Sequence, residues 1–236
     1  MEAFARAELL WGREAMENLE KAHVAVFGVG GVGAACCEAL VRGGVGRLSF
    51  FDPDGVSVTN LNRQLVALRS TVGKNKAEVM RERALDINPR AEIWVHPVFY
   101  GTENAAEYPL DGYDFVVDCI DTVASKLLLI ETAHRHNVPI ISALGAGNKE
   151  DPTLFRVADI YDTKVCPLAR VLRSKLKKMG IEKHLCVYSE EVPLETQELL
   201  EENGRHLPGS LSFVPPVMGM ILAGEVLKHL AGRCEK

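Results

Sequence analysis

A single stretch near the start of the chain limits its fold more than any other feature. An apolar run, HVAVF at 23–27, leads into the glycine cluster GVGGVG at 28–33, and a helical run follows. A second apolar run, 47–51, ends directly before Asp52. Strand, glycines, helix and an acid about twenty residues further on form the pattern of a dinucleotide-binding βαβ unit. The stretch predicts phosphate binding at a helix N-terminus, the alternative being a tight turn that needs glycine for packing alone.

Repeated alternation of strands and helices extends this unit into a larger sheet. Apolar or alternating runs at 92–99, 115–120 and 139–143 predict further strands, separated by helical runs at 76–87 and 125–136. The run 115–120 is apolar apart from Asp118, which is typical of a buried strand in a parallel sheet. We therefore expect an α/β fold, Rossmann-like and doubly wound, with a mostly parallel sheet and an added C-terminal α+β portion.

The C-terminal portion is predicted from shorter patterns. They indicate strands at 155–160, 185–189 and 209–213, helices at 167–179 and 216–230, and a mobile loop at 190–206.

Composition narrows the class of protein. The chain has 236 residues and a net charge of −5, which argues against a surface that is basic overall. It shows neither a signal-peptide core nor an apolar run long enough for a membrane span. Its six cysteines form no C-x-x-C pair, so we expect reduced thiols, no four-cysteine zinc site and a cytoplasmic location.

Polar residues follow successive predicted strands and narrow the choice of nucleotide. They are Asn60, Arg63, Gln64, Lys76 and Asp121. The carboxyl ends of parallel strands meet at one edge of the sheet, so we expect these side chains to converge. Two cations, amides and carboxylates suit a triphosphate with Mg²⁺ better than the diphosphate of a nicotinamide cofactor. An NAD-dependent enzyme or a non-catalytic nucleotide-binding module remains the alternative. The chain has no G-x-x-x-x-G-K-[ST] motif, which excludes a P-loop ATPase.

The motifs GVGGVG (28–33), NLNRQ (60–64) and DCID (118–121) resemble the adenylation core of the ubiquitin-activating-type superfamily, which includes the ThiF- and MoeB-like adenylyltransferases. The resemblance places the phosphates on Gly28, Gly30, Gly31 and Gly33. It implies that Asp52 binds the ribose and that Asn60, Arg63 and Lys76 contact phosphates, with Gln64 in support. ATP is the implied nucleotide.

The same resemblance implies a metal and a second subunit. Asp121 would support Mg²⁺, whereas its residue type also suits a helix N-cap. Arg6 would reach the triphosphate of the partner subunit in a homodimer, the alternative being a local ion pair. Asp118 is expected to have a structural role.

Further strings, including GAGNKEDPT (145–153) and FVPPVMG (213–219), resemble the tRNA threonylcarbamoyladenosine dehydratase branch across essentially the whole chain. This implies ATP-dependent cyclisation of threonylcarbamoyladenosine next to the anticodon, by adenylation of the threonyl carboxylate and release of pyrophosphate, then AMP. It also implies an ATP-binding core at 1–145 and a tRNA-facing portion at 146–236 within the same domain. A monovalent cation, K⁺ or Na⁺, held by carbonyl groups of the loop around Gly147 is a further candidate ligand. Sulfur-transfer proteins are further candidate partners.

Three alternatives stay open at this point. The first is an adenylyltransferase that activates the C-terminus of a ubiquitin-like sulfur-carrier protein. The second concerns Cys186, a nucleophile by analogy with thioester-forming relatives, although a cysteine on an apolar strand is more often part of the core. The third concerns the basic segment 164–183, which is either a solvated surface or a contact for tRNA phosphates.

Overall fold

The computed structural model describes residues 3–196, 200–202 and 205–233. Its main sheet has seven strands in the order β3-β2-β1-β4-β5-β7-β6, and every neighbouring pair is parallel except the antiparallel β6–β7. The strands are β1 His23–Phe27, β2 Arg47–Phe51, β3 Glu92–His96, β4 Phe115–Asp118, β5 Ile140–Ala143, β6 Phe155–Asp159 and β7 Leu185–Ser189. A separate hairpin pairs β8 Leu200–Glu202 with β9 Arg205–Leu207.

Helices cover both faces of the sheet. They are α1 Ala5–Trp11, α2 Arg13–Lys21, α3 Gly33–Arg42, α4 Lys76–Ile87, α5 Val123–Arg135, α6 Pro167–Lys178 and α7 Val214–Leu230. Buried residues of α2, α3, α4 and α7 form one apolar cluster with one face of the sheet, and those of α5 and α6 form a second cluster with the other. All four residues of β4 are buried, as its apolar sequence predicts.

The order of the strands in the sheet changes direction at β1. Strands β2 and β3 lie on one side of β1, and β4, the next strand along the chain, lies on the other side. The helices that follow β1 and β4, α3 and α5, therefore lie on opposite faces of the sheet, and a crevice opens at the carboxyl ends of these strands. Such a switch point is where open α/β sheets bind ligands.

These observations confirm the α/β, mostly parallel, doubly wound fold with an added C-terminal α+β portion. The sheet continues across residue 145, because β7 pairs with β5. No described helix has the length and apolar character that crossing a bilayer requires.

One local prediction in the C-terminal portion was wrong, and the predicted final helix starts two residues earlier than expected. Residues 209–213 form no strand, because both backbone groups of Gly209 bond to Asn148 instead of to a neighbouring strand. The final helix begins at Val214, with Pro215 and Pro216 in its first turn, where a missing N–H costs nothing. The segment 190–206, predicted as a mobile loop, includes most of the β8–β9 hairpin, and its residues 197–199 and 203–204 lie outside those that the structure describes.

Candidate nucleotide-binding site

The loop after β1 can be built only from glycine at two of its positions. Gly28 has φ +90°, and a Cβ there would lie 2.6 Å from the carbonyl oxygen of Cys119. A Cβ at Gly33 would lie 1.8 Å from the carbonyl oxygen of Gly28. The loop is thus pressed against both itself and the turn after β4. Its backbone therefore approaches the crevice more closely than side-chain-bearing residues would allow.

Asp52, at the end of β2, ties the glycine loop to the neighbouring strand. Its Oδ2 accepts the N–H of Val29 at 2.6 Å, and its Oδ1 accepts the N–H of Asp54 at 2.9 Å. Burial raises the pKa of the Asp52 carboxyl group, and the nearby positive charge of Lys76 opposes that rise. Each carboxylate oxygen retains acceptor capacity, so Asp52 can still receive a hydroxyl donor from a ligand.

Lys76 is positioned by the cap of α4. The Asn75 side chain accepts the N–H groups of Ala77 and Glu78 and donates to the carbonyl oxygens of Asp52 and Asp54. This cap fastens the start of α4 to the end of β2. The Lys76 side chain is only 8% exposed, and its Nζ lies 2.8 Å from Oδ2 of Asp54. The sequence did not identify Asp54 as the partner of Lys76, although it stands two residues after Asp52.

Residues 57–64 form a turn whose polar side chains have different surroundings. The Asn60 Oδ1 accepts the N–H of Ser57, so this end of the amide closes a capping box. Arg63 Nη1 donates to the carbonyl oxygen of Thr59 at 3.0 Å and to Asn62 Oδ1 at 2.9 Å. Gln64 is buried, yet its Oε1 has no hydrogen-bond partner within the described part of the chain. A buried acceptor of this kind requires a donor, and a ligand can supply one.

The turn after β4 carries Asp121 at the crevice. Asp121 is exposed, and its Oδ1 accepts the hydroxyl of Thr122 at 3.2 Å. Thr122, not Asp121, is the N-cap residue of α5. The same turn is held from below by Asp118, whose Oδ1 accepts the N–H of Ile120. Asp121 is thus free of a capping role and open to a ligand.

A buried polar network lies beneath that turn. Asp118 Oδ2 accepts Lys126 Nζ at 2.7 Å and the Ser142 hydroxyl at 2.6 Å, and both partners of the ion pair are fully buried. The Ser142 hydroxyl lies 2.8 Å from His184 Nε2, and His184 Nδ1 lies 3.4 Å from His134 Nε2. Burial, with the positive charges of His134 and Lys126, lowers the pKa of His184 to about 3. His184 therefore stays neutral in the folded protein.

This network agrees with the structural role predicted for Asp118. The sequence did not predict the other members of the network. Lys126, Ser142 and His184 are far apart in the chain and form no local motif.

All these loops line one cavity of about 850 Å³. Every predicted nucleotide-site residue of this chain's own core contributes to its wall: Gly28, Gly30, Gly31, Gly33, Asp52, Asn60, Arg63, Gln64, Lys76 and Asp121. One end is apolar, formed by Phe27, Phe51, Val98, Phe99 and Tyr100. A further wall comes from the C-terminal portion, at 146–147, 207–208, Ser210 and Pro215. The cavity size and its mixed lining match a nucleotide-sized ligand.

Two side-chain amides hold the C-terminal wall in place, and one of them, Asn62, belongs to the core. Asn148 Oδ1 accepts the N–H of Gly209 at 2.6 Å, and Asn62 Nδ2 donates to the carbonyl oxygen of Ser210 at 2.9 Å. Sequence analysis missed both this wall and the apolar end.

Two candidate residues, Arg6 and Cys186, and the cysteine on the cavity wall, Cys119, require separate comment. Arg6 is exposed on α1, a helix without buried residues, and does not line the cavity. Cys186 is fully buried on β7, and burial raises its thiol pKa to about 12, which disfavours a nucleophilic thiolate. Cys119 lines the cavity, but burial and the charge of Asp118 likewise raise its pKa to about 12.

The arrangement suits a metal only in combination with phosphates. Within the described residues, no group of three or more His, Cys, Asp or Glu side chains is placed to hold an ion. A single carboxylate such as Asp121 is typical of Mg²⁺ sites in which phosphates and water supply the other ligands.

The chain is similar to proteins of known activity along most of its length. A tRNA threonylcarbamoyladenosine dehydratase of Bacillus subtilis is 42% identical, covering 96% of this chain and 94% of that protein. The Escherichia coli tRNA N6-threonylcarbamoyladenosine dehydratase, solved with ATP, superposes with a TM-score of 0.89 at 35% identity, covering 98% of this chain and 94% of that one. The structure of that enzyme with AMP gives 0.88 at 36% identity, with the same coverage.

A sulfur carrier protein adenylyltransferase of Thermus thermophilus is 37% identical, over 94% of this chain and 73% of that protein. The model of the ThiF family matches residues 4–236. The chain therefore belongs to the ThiF family, in the branch that holds the tRNA threonylcarbamoyladenosine dehydratases.

Proposed function

We propose that this protein is an ATP-dependent tRNA-modifying enzyme that converts N6-threonylcarbamoyladenosine, next to the anticodon, into its cyclic, dehydrated form. The observation that carries the proposal is the cavity at the β1–β4 crevice. It joins a glycine cradle, two cations and an exposed carboxylate in a chain whose E. coli relative was solved with ATP and with AMP.

The proposed roles follow the geometry of the cavity. The glycine loop lies under the phosphates, and Asp52 receives a ribose hydroxyl. Arg63 and Lys76 neutralise phosphate charge, and Asn60 contributes its amide nitrogen because its oxygen is used in the cap. Gln64 satisfies its unpaired oxygen on the nucleotide or on an ordered water. The apolar end accepts the adenine base.

ATP supplies activation of a carboxylate, which is otherwise a poor acyl donor. A threonyl carboxylate oxygen bonds to the α-phosphorus as the bond to pyrophosphate breaks. The neighbouring ureido group then attacks the activated carbonyl carbon and releases a proton to water, and AMP departs with the carboxylate oxygen. The carboxylate is itself the nucleophile in the first step, so that step needs no general base. The protein contributes positioning and charge neutralisation.

Two ions accompany this proposal. Asp121 supports the Mg²⁺ that travels with ATP, because its carboxylate is exposed on the cavity wall and is not used as a helix cap. Carbonyl oxygens of the loop around Gly147 hold a monovalent cation, K⁺ or Na⁺. Omitting each ion in turn from the assay tests both roles.

We also propose a homodimer in which Arg6 acts in trans. Arg6 is exposed on a helix that buries none of its residues, which is consistent with burial against a second subunit. Mixing Arg6→Ala with Asp121→Ala subunits tests this idea, because a mixed dimer regains one intact site. If both variants are inactive alone and mixing restores nothing, Arg6 does not act in trans.

The proposal assigns a role to each part of the chain, a cellular location and candidate partners. Residues 1–145 form the ATP-binding core, and residues 146–236 face the tRNA within the same domain. A tRNA substrate implies a cytoplasmic location, and sulfur-transfer proteins remain candidate partners. Truncation does not test this division, because β7 belongs to the same sheet as β5.

Mass spectrometry of the tRNA nucleosides before and after incubation with protein and ATP tests the activity directly. We expect a product lighter by one water, formed only when ATP is present. Arg63→Ala should lose this conversion while keeping the circular dichroism spectrum of the native protein. Full conversion by Arg63→Ala would remove that residue from the phosphate site.

The rival function is activation of a sulfur-carrier protein, which the similarity to the Thermus adenylyltransferase favours. Pyrophosphate exchange separates the two. We expect exchange to depend on tRNA that carries threonylcarbamoyladenosine and not on a carrier protein with a Gly-Gly tail. The reverse dependence would select the rival, and tight NAD binding without ATP binding would exclude both.

A further inference from the structure

Helix α6 concentrates positive charge on the surface of an otherwise acidic protein. The segment 164–183 contains seven basic residues and one acid, a net charge of +6. The rest of the chain has twenty basic and 31 acidic residues, a net charge of −11. The protein is therefore strongly polarised, although its total charge of −5 suggests an acidic surface.

The packing of α6 leaves most of its basic side chains exposed to solvent. Ala169, Leu172 and Leu176 are buried in the apolar cluster that α6 shares with α5. The opposite side is exposed and bears Arg170, Lys175, Lys177 and Lys178. Among the residues described, the ion pairs near this face join other side chains, such as Arg135 with Glu131, and none includes these four cations. Their charge is therefore not neutralised within the described part of the protein.

Arg173 differs from its neighbours on α6. It is only half-exposed, and its Nη1 donates to the carbonyl oxygen of Thr163 at 2.8 Å and also to the Thr163 hydroxyl. This arginine fastens α6 to the preceding turn. It provides an internal control, because it has the same charge on the same helix but a structural contact.

The start of α6 lies near the nucleotide cavity. Cys166, its N-cap residue, is buried in the same apolar cluster as Leu144, which stands three residues before Gly147 of the cavity wall. From there, twelve helical residues extend for about 18 Å. This is enough for contact with about three successive phosphates of a polynucleotide.

We propose that the exposed face of α6, with Arg170, Lys175, Lys177 and Lys178, binds the sugar–phosphate backbone of the tRNA substrate. The inference rests on the proposed function. Contact is with backbone and not with bases, because α6 contains no aromatic residue on which a base could stack. The four cations add affinity that depends on salt and not on tRNA sequence.

The test uses the full-length protein and tRNA that carries threonylcarbamoyladenosine. One variant replaces the four exposed cations of α6 with alanine. A matched control replaces four exposed arginines outside α6, namely Arg13, Arg69, Arg81 and Arg90. Binding of labelled tRNA is measured by fluorescence anisotropy between 50 and 200 mM salt, and ATP binding by calorimetry.

For the α6 variant we expect the slope of log affinity against log salt to fall by about 3, with the Kd raised about tenfold or more. ATP binding and kcat at saturating tRNA should match the wild type. The control variant should keep the wild-type slope. Arg173→Ala should lower the melting temperature without changing the slope.

An unchanged slope in the α6 variant, while the wild type binds and converts tRNA, would overturn the α6 proposal and leave the proposed function intact. An equal fall in the control variant would overturn it as well, because the effect would then belong to total charge. A wild-type protein that neither binds nor converts tRNA would overturn both proposals.

Discussion

Two lysine–aspartate ion pairs of nearly equal length lie near the crevice, and they have different surroundings. Lys126 and Asp118 are 2.7 Å apart and both fully buried. Lys76 and Asp54 are 2.8 Å apart, but Asp54 is 64% exposed and Lys76 lines the cavity. Asp118 also accepts a backbone N–H and a hydroxyl, whereas Lys126 donates to the carbonyl oxygen of Ala143. The first pair is saturated with protein partners, and the second is open to a ligand.

This difference separates a structural pair from a functional one. Desolvation of the two buried charges offsets much of the attraction between them. Loss of either Asp118 or Lys126 would leave the other charge buried without its partner, which lowers the stability of the protein. The Lys76 ammonium can exchange an exposed carboxylate for a phosphate at small cost, because a surface pair contributes little to stability. Distance alone does not distinguish the two; burial and partner number do.

Breaking the buried pair should produce the largest effect on folding. Lys126→Met leaves the Asp118 carboxylate buried beside two neutral donors, so we expect a loss of about 3–5 kcal/mol in the free energy of unfolding. Urea titration followed by circular dichroism measures it. The double variant Asp118→Asn/Lys126→Met, which removes both charges, should recover part of the loss. A loss below about 1 kcal/mol in the single variant would contradict the assignment of the pair as structural.

The open pair should show the opposite behaviour. Lys76→Met removes a charge from the cavity, and we expect kcat/KM for tRNA conversion to fall about 10²- to 10³-fold. Its free energy of unfolding should change by less than about 1 kcal/mol. Lys74→Met is the matched control, since Lys74 is exposed and lies outside the cavity lining. Equal losses of activity in both variants would place the effect outside the phosphate site.

The histidine in the buried network should make stability depend on pH. The pKa of His184 falls to about 3 in the folded protein, whereas in the unfolded chain its imidazole takes up a proton near the ordinary pKa of 6.5. The unfolded state then binds more protons below that value, so stability falls as the pH decreases from about 6.5 towards 3.

Replacement of this histidine removes its contribution to the pH dependence. Between pH 7 and pH 5, the wild type should lose about 2 kcal/mol more than His184→Gln does. Urea titrations at both pH values measure the difference. The other charged or titratable neighbours are His134, Lys126, Asp118 and Asp159, and they are present in both proteins. Equal pH dependence in the two proteins would show that His184 has the same pKa in the folded and the unfolded state.

The smallest effect is expected for Asp54, the exposed partner of Lys76. Asp54→Asn removes the carboxylate partner of Lys76, and we expect less than about 1 kcal/mol of change in stability. Activity should stay within about threefold of the wild type, because the lysine retains its place at the start of α4. A loss of activity as large as that of Lys76→Met would instead make Asp54 part of the site.

Much of this arrangement was predictable because the relevant patterns are local. The glycine loop and Asp52 each follow an apolar run that predicts a strand, and Lys76 begins a run with helical periodicity. The carboxyl ends of parallel strands share one edge, so the convergence of Arg63, Lys76 and Asp121 could be inferred without coordinates. Residues 209–213 were mispredicted because their backbone bonds to Asn148, some sixty positions away.

The amino-acid sequence by itself determined the βαβ start, the parallel sheet and the polar residues at the strand ends, because local propensity and periodicity encode them. Long-range packing alone decided that Asp118, Lys126, Ser142 and His184 form one network. It also decided that Asn62 and Asn148 hold the C-terminal wall over the cavity. The physical reason is the same in each case. A buried or bridging polar group is satisfied by whatever partner the fold brings near, and its own neighbours in the chain do not identify that partner.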